Sequence, residues 1–358
     1  MVASSSAARA ENSFGDPFYF VLRQGLWIGI GLVALILTTR MDYHLLRWMV
    51  GPVLILSVLL LVMVLIPGIG TEINGSKRWL RFGPVNLQPS EFAKFTLVLF
   101  MAWWMKKTRR HSATFIKGFL IPGGVLGVLT GLVFREPDFG TAALLAVLGG
   151  LLLWFGGANW RYLVPLGGLG LGGFVWAVTE DPIRMDRWLA FLDPEKYAGA
   201  QAWQLMNSIY AFVIGGVRGT GLGGSLQKCF YLPEAHTDFI FAIVGEELGI
   251  GGTLGILGLF LVLFVCGILI AVRAPDFFGR MLAFGMTLAI TLQALINIGV
   301  VTGSGPTTGM ALPFISYGGS SLLVFLCMIG VLNNIALHVE GHGVDVDTQP
   351  IKDQVHDV

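Results

Sequence analysis

The stretch Tyr231-Leu-Pro-Glu-Ala-His-Thr-Asp238-Phe-Ile-Phe-Ala sets one carboxylate, Asp238, where a polar loop turns into a long apolar run. A carboxylate at that boundary is partly stripped of water, which raises its pKa and its strength as a base, while the positive end of the helix it opens acts the other way. The competing reading is that Thr237 or Asp238 only caps the helix, a common role for both residue types. Residues alone leave both open. Glu246 and Glu247 lie further into the same run, where ionisable groups face a bundle interior or a wet cavity, and a structural ion pair with another helix is the plain expectation. Glu91 and Lys94, three apart, read as a local pair on one helix face.

The cations fall in groups. Lys77, Arg78 and Arg81 share a loop with Trp79; Arg184 and Arg187 share another; Lys228 precedes Asp238. Arginine offers a forked donor and lysine a point charge, so together they suit phosphate oxygens, although each alone also suits a snorkelling anchor at a membrane surface. Arg135-Glu-Pro-Asp138-Phe-Gly-Thr141 and Ser316-Tyr-Gly-Gly-Ser-Ser321 put polar groups at helix ends, where capping and close packing compete with ligand contact.

The elements that carry these residues are set by composition. Of 358 residues, 54% are hydrophobic and 13% charged, the mean hydropathy is +0.74 and the net charge +1. Such a chain is too apolar to enclose a soluble core, and it carries no basic field for nucleic acid. Cys229, Cys266 and Cys327 lie far apart, fit neither a metal-ligand spacing nor a disulfide framework, and read as packing residues. The first seventeen residues do not read as a cleavable signal. Apolar runs near 18–38, 45–66, 91–105, 118–134, 140–157, 162–178, 238–271, 282–302 and 319–338 predict about nine transmembrane helices in an all-α polytopic bundle. Residues 1–338 make one membrane-embedded domain and 339–358 a short cytoplasmic tail.

Orientation follows from short basic linkers. Lys106, Lys107, Arg109, Arg110 and Lys117 crowd one, and Arg273 and Arg280 bracket another, which places both in the cytoplasm. Alternation then puts residues 67–90, 135–139, 179–237 and 303–318 outside. The 179–237 segment, between the sixth and seventh helices, is too long for a connector, and Trp203 to Val217 within it predicts a re-entrant or surface helix followed by the glycine-rich Gly219 to Ser225. No internal repeat of the transporter kind is evident.

Read together, several stretches resemble the SEDS family (shape, elongation, division and sporulation) over nearly the whole chain. They are Asn74-Gly-Ser-Lys-Arg-Trp-Leu with Leu87-Gln-Pro-Ser-Glu-Phe-Ala-Lys94, Glu136-Pro-Asp-Phe-Gly-Thr141, Arg187 with Phe191-Leu-Asp-Pro194, Gly221-Leu-Gly-Gly-Ser-Leu-Gln-Lys228, Tyr231 to Leu248, and Leu312-Pro-Phe-Ile-Ser-Tyr-Gly-Gly-Ser-Ser321. Gln227-Lys228 with the following Tyr-Leu-Pro-Glu-Ala-His-Thr-Asp is most similar to division-type members, with the elongation type second.

The resemblance implies a peptidoglycan glycosyltransferase that polymerises lipid II outside the cytoplasmic membrane. It also implies work alongside a class B penicillin-binding transpeptidase and other membrane proteins of division. By the same resemblance the essential acid is Asp238, and Arg78, Lys94, Arg187, Gln204, Lys228, Ser320 and Ser321 become candidate substrate contacts. A divalent cation, Mg2+ or Mn2+, is implied between pyrophosphate and acid, with no organic cofactor, although no closed protein metal site is legible. Family members usually have ten helices with both ends in the cytoplasm. The nine counted here, and an opening Met-Val-Ala-Ser-Ser-Ser that resembles the end of the family's first helix and the start of its outer loop, read as a chain lacking that helix. Asn207 stands where the family often has Gln, keeping the amide with a shorter reach. Two rivals remain: a lipid II flippase with Glu246, Glu247 and Asn297 along a polar path, and a noncatalytic scaffold.

Overall fold

Spans of about 20 apolar residues can satisfy their backbones in lipid only as helices, and helices account for most of the chain. The computed structural model describes residues 1–73, 76–83, 85–194, 196, 200–229 and 231–341. Asn74, Gly75 and the tail from 342 onward lie outside the described residues. The helices are α1 (Val2–Phe14), α2 (Tyr19–Arg40), α3 (Leu46–Leu65), α4 (Pro89–Lys107), α5 (Ile121–Arg135), α6 (Phe139–Phe155), α7 (Trp160–Thr179), α8 (Pro182–Leu192), α9 (Ala200–Gly215), α10 (Ile240–Arg273), α11 (Phe277–Val301) and α12 (Gly319–Gly341). Among the described residues, the nine expected apolar runs correspond to α2 to α7 and α10 to α12. Seven of these are long and apolar enough to span a membrane, α6 is a shorter apolar helix, and α4 is made less apolar by Glu91, Lys94, Lys106 and Lys107.

That charge decides where α4 sits. It is the central helix, with Leu97, Val98, Leu99, Met101, Ala102 and Met105 almost inaccessible, packed against α3, α6 and α11. Lys94 is fully buried, with Glu91 2.7 Å away on the same face, the local pair expected from their spacing. By contrast α2, α7 and the far half of α10 show Leu26, Leu169, Leu171 and Leu259 outward, as a helix facing lipid does.

Four features depart from the sequence reading. The all-α expectation omits a small antiparallel sheet between α3 and α4, β1 (Gly70–Ile73), β2 (Ser76–Phe82) and β3 (Val85–Leu87), in the order β1-β2-β3. Residues 2–14 are helical throughout, where the end of a helix running into a loop was expected, and α1 ends at Gly15 in the left-handed region. The tail boundary shifts, because α12 continues through residue 341. Cys229 and Cys266 are exposed, so they are not packing residues; only Cys327 is half-buried.

The run near 238–271 is not one continuous helix. At 34 residues α10 would be about 51 Å long, well beyond the ~30 Å hydrocarbon core. It breaks at Gly249, where φ is 63° and ψ −158°. The loop after α9 fills the break. Thr220 N and Gly221 N donate to the carbonyls of Glu246 and Glu247 at 2.9 and 3.0 Å, and Ile250 N donates to Gly216 O at 3.1 Å. Backbone approaches so closely here that a Cβ on Gly249 would lie 2.6 Å from both Gly219 N and Val217 O, and one on Gly219 would lie 2.2 Å from Glu247 O. The expected helix in 203–217 is α9, and α8 precedes it unannounced.

Candidate active site

Asp238 sits one residue before Phe239, the N-cap of α10, and neither it nor Thr237 caps the helix. Thr237 Oγ1 turns back to Glu234 instead. Among the described residues no group hydrogen-bonds the Asp238 carboxylate, while its backbone is held firmly. Asn297 Nδ2 on α11 donates to Asp238 O at 2.7 Å and to Met310 O at 2.6 Å, fastening the Asp238 segment to the loop between α11 and α12. Ser316 adds a second tie, donating to Thr237 O at 2.6 Å and accepting from Leu312 N at 2.8 Å, and Tyr317 N donates to His236 O at 3.0 Å. Two residues in these crossing loops, Glu234 and Phe314, hold left-handed backbone with φ of 54° and 65°, a conformation costly for side chains other than glycine. Gly309 lies beside the carboxylate; a Cβ there would stand 3.6 Å from Asp238 Oδ2.

Around this backbone frame, charge is concentrated. Burial pushes the Asp238 carboxyl up to about 7; Glu234 and Asp138 push the same way, and Arg78 and Arg187 hold it down. An acid balanced near neutrality is suited to taking and returning a proton. On the α5–α6 turn, burial and the neighbouring Asp138 push Glu136 up to about 9, and its two carboxyl oxygens meet no described partner. Asp138 caps α6 through Thr141 N at 3.2 Å, accepts from Gln88 Nε2 and Ser90 Oγ, both at 3.2 Å, and lies 3.9 Å from Arg78 Nη1. Burial drives His236 down to about 4, against the pull of Glu234. Glu234, despite its burial, is held low by Arg9 at 3.0 Å.

Arg78 on β2 donates to Pro137 O, and Arg187 on α8 donates to Thr307 O at 3.5 Å. Each keeps a buried Nε with no described partner. Two guanidinium groups with a donor to spare, flanking an acid, make a place for phosphate oxygens. The small sheet and α8, both missed as elements in the sequence reading, are what bring these two arginines to Asp238.

The other candidate contacts are placed differently. Lys94 is buried between Glu91 and Gln293 Oε1 with its ammonium 5.0 Å above the Phe325 ring, and Gln293 in turn donates to Ala311 O, so Lys94 supports the loop beside Asp238 from beneath. Lys228 pairs with Glu247 at 2.9 Å and donates to Ser4 Oγ and Gly223 O. Gln204 donates to Pro233 O at 3.3 Å, and Asn207, despite its shorter reach, donates to Tyr231 O at 3.1 Å. Ser320 Oγ accepts from Gln88 N at 3.4 Å, and Ser321 lies buried in the first turn of α12. Arg78, Arg187 and Asp238 thus share one electrostatic centre, with the rest bracing its loops. Glu246 forms no ion pair with another helix among the described residues: Ser225 Oγ, Leu226 N and Gln227 N all donate to it. Sequence reading missed Glu234, His236 and Gly309 as neighbours of the acid. The first two lie within a quoted motif, whereas Gly309 carried no signal.

A divalent ion bound by carboxylate and phosphate oxygens needs a hard oxygen donor not already spent on the protein. Asp238, whose carboxylate receives no hydrogen bond from a described residue, fits that need. The surrounding acids do not gather into a closed cage; among the described residues the only cluster of three close ligand groups, Asp42 with His44 and His338, lies elsewhere.

Comparison with known proteins agrees with this arrangement. A sequence model of the FtsW, RodA and SpoVE proteins, described as cell cycle protein, matches residues 1–341. The probable peptidoglycan glycosyltransferase FtsW of Trichlorobacter lovleyi is 43% identical over 336 residues, covering 94% of this chain and 88% of that protein. Stage V sporulation protein E of Bacillus subtilis is 43% identical over 337 residues, covering 94% and 92%. Among solved structures, a chain from a peptidoglycan synthase complex that coordinates polymerization and crosslinking aligns with a TM-score of 0.77 at 28% identity, covering 94% of this chain and 95% of that one. The rod shape determining protein RodA of Thermus thermophilus aligns at 0.65 and 27%, covering 93% and 92%. By sequence over nearly its whole described length and by fold, this multi-pass membrane protein belongs to the FtsW/RodA/SpoVE family.

Proposed function

We propose that the chain is a peptidoglycan glycosyltransferase that polymerises lipid II at the outer face of the cytoplasmic membrane. The observation that carries this reading is Asp238, a carboxylate outside the apolar spans, without a hydrogen-bond donor among the described residues, lifted to about 7 and set between Arg78 and Arg187. Asp238 accepts the proton of the acceptor sugar's 4-hydroxyl as that oxygen attacks the anomeric carbon of the growing chain. The new C–O bond forms as the bond to the lipid pyrophosphate breaks, with inversion. Arg78 and Arg187 receive charge that develops on the departing phosphates, an electrostatic contribution. A divalent ion, held by Asp238 and the phosphates, would supply further neutralisation. Both substrates are tethered by lipid tails, so the membrane narrows their search to the plane of the site.

The family relatives support a division role, and a class B penicillin-binding transpeptidase together with other division membrane proteins is the expected partner set. The equal identity of the sporulation relative shows that percentage identity does not separate these branches; an elongation role is the alternative within the family. The flippase reading loses its polar path: Glu246 and Glu247 are taken up by the 216–228 loop, and Asn297 by the backbone of Asp238 and Met310. The deciding experiment incubates purified lipid II with the protein and its transpeptidase, then resolves glycan polymer on a gel. Polymer from wild type and none from equally folded Asp238→Asn supports the reading. Equal polymer from both removes Asp238 as the base, and lipid II scrambling without polymer favours transport.

A further inference from the structure

At the opposite end of the molecule, the turn between α2 and α3 meets the last turns of α12. Asp42 and His44 come from the turn, His338 from the helix, and one ligand atom of each lies within 4.8 Å of the others. Asp42 Oδ1 is 2.7 Å from His44 Nδ1 and 3.8 Å from His338 Nε2. We propose that these three side chains form a site for a divalent transition metal, Zn2+ by preference, that clips α12 to the α2–α3 turn.

The second nitrogen of each imidazole supports the assignment. His338 Nδ1 is 2.9 Å from Asn334 O, a carbonyl that can only accept, so the ring proton sits on Nδ1 and the lone pair of Nε2 is turned toward Asp42. His44 Nε2 lies 3.8 Å from Asp276 Oδ2. When a metal takes Nδ1 of His44, the ring's remaining proton resides at Nε2 and faces that carboxylate. A carbonyl behind one histidine and a carboxylate behind the other is the outer shell that orients imidazole ligands and strengthens them as donors. The frame is also stiff: Asn334 accepts from Tyr43 N at 2.9 Å and donates to Thr39 O at 2.7 Å, locking the turn to α12 independently of any ion.

The donor set selects the metal class. Two imidazoles and one carboxylate suit Zn2+, Co2+ or Ni2+ and are too rich in nitrogen for Mg2+ or Ca2+. With metal–ligand bonds of about 2.0–2.2 Å, a tetrahedral ion needs its ligands about 3.3–3.5 Å apart, so the 2.7 Å Asp42–His44 contact must open and the 3.8 Å gap to His338 must close by small side-chain movements. Asp42 is half exposed, which leaves a route in and a fourth position for water. The metal-free alternative is an Asp42 that hydrogen-bonds His44 and pairs electrostatically with His338, and metal titration separates the two.

The test uses the full chain purified without a polyhistidine tag, stripped with chelator, and titrated with Co2+ while the visible d–d bands of tetrahedral cobalt are followed, then back-titrated with Zn2+. We expect one saturable equivalent, displaced by Zn2+, absent in His338→Gln and in Asp42→Asn, and retained in His111→Gln and His342→Gln. Zn2+ should raise the thermal midpoint of wild type and leave that of His338→Gln unmoved, and the metal-free midpoints of the two show whether the variant folds. No saturable binding by wild type overturns the proposal. So does binding that survives in folded His338→Gln, or that disappears in His342→Gln, which would place the ion on the tail.

Discussion

Two aspartates at the two ends of the bundle show how one carboxyl is raised toward neutrality and another is held low. Asp276, between α10 and α11, lies on the side with the basic linkers and is surrounded by donors: Tyr43 Oη at 2.9 Å, Gly279 N at 2.9 Å, Lys106 Nζ at 3.3 Å and Arg47. Burial works against its charge, yet those donors hold its carboxyl below the usual range. Asp238 is more deeply desolvated, has no donor to its carboxylate among the described residues, and rises to about 7. The difference lies in hydrogen bonds as well as in burial. A satisfied acid anchors helices; an unsatisfied one keeps its lone pairs for a proton, a metal or a substrate.

The sharpest break between the two comes from removing each charge. Asp238→Asn should lower polymerisation by roughly 10²–10⁴-fold, as loss of a general base does. The same change should raise thermal stability, because it removes a carboxylate that folding forces out of water, by roughly 1–2 kcal/mol after discounting for partial exposure. Unchanged activity, or a loss of stability matching the loss of activity, would place Asp238 among the structural acids. Asp276→Asn should do the reverse, costing roughly 1–3 kcal/mol of stability by leaving Arg47 and Lys106 without their shared partner, while activity per folded molecule persists. Denaturation followed in the same detergent measures both.

The two acids should also respond to pH with opposite sign. Asp238 is raised from an ordinary 3.8, so the stability it contributes is full below that value and is lost as pH rises through about 7. Asp276 is depressed, so its contribution is full above the ordinary value and is lost as pH falls through its lowered pKa. With Asp238 as the proposed base, polymerisation should climb with its ionisation to a plateau with a midpoint near 7; a midpoint near 4 would mean that the pair Arg78 and Arg187 outweighs burial. The smallest expected effect is Arg187→Lys, roughly 10-fold in activity with little change in stability, since lysine keeps the charge and loses the fork.

Much of the scaffold was legible because apolar runs of bilayer length have few other fates, and Asp238 was legible because it stands at a polar-to-apolar boundary. What escaped was tertiary. The 76–82 stretch reads as loop because Lys77, Arg78, Trp79, Leu80, Arg81 and Phe82 give no clean polar–apolar alternation, and its strand pairing is set by contacts outside the segment. The break at Gly249 is silent because the apolar run continues on both sides and the loop that fills it comes from 30 residues earlier in the chain. Lys228 was grouped with phosphate-binding cations because sequence shows charge and not partners, and the structure pairs it with Glu247, whereas the Lys94–Glu91 pair was legible from spacing. The Glu246 and Glu247 side chains were taken for helix-pairing groups because nothing local reveals that a glycine loop will lie across them.

The interruption at Gly249 has a meaning for the surrounding lipid. Had α10 been one rigid rod, any tilt imposed by a thicker or thinner bilayer on its far end would swing the other end by leverage and carry Asp238 with it. Broken at Gly249, the membrane-long piece Ile250–Arg273 can lean with its lipids while the short piece ahead of it stays moored to α9, α11 and the crossing loops. The break at Gly249 lets the direction of Ile250–Arg273 differ from that of the short piece following Asp238.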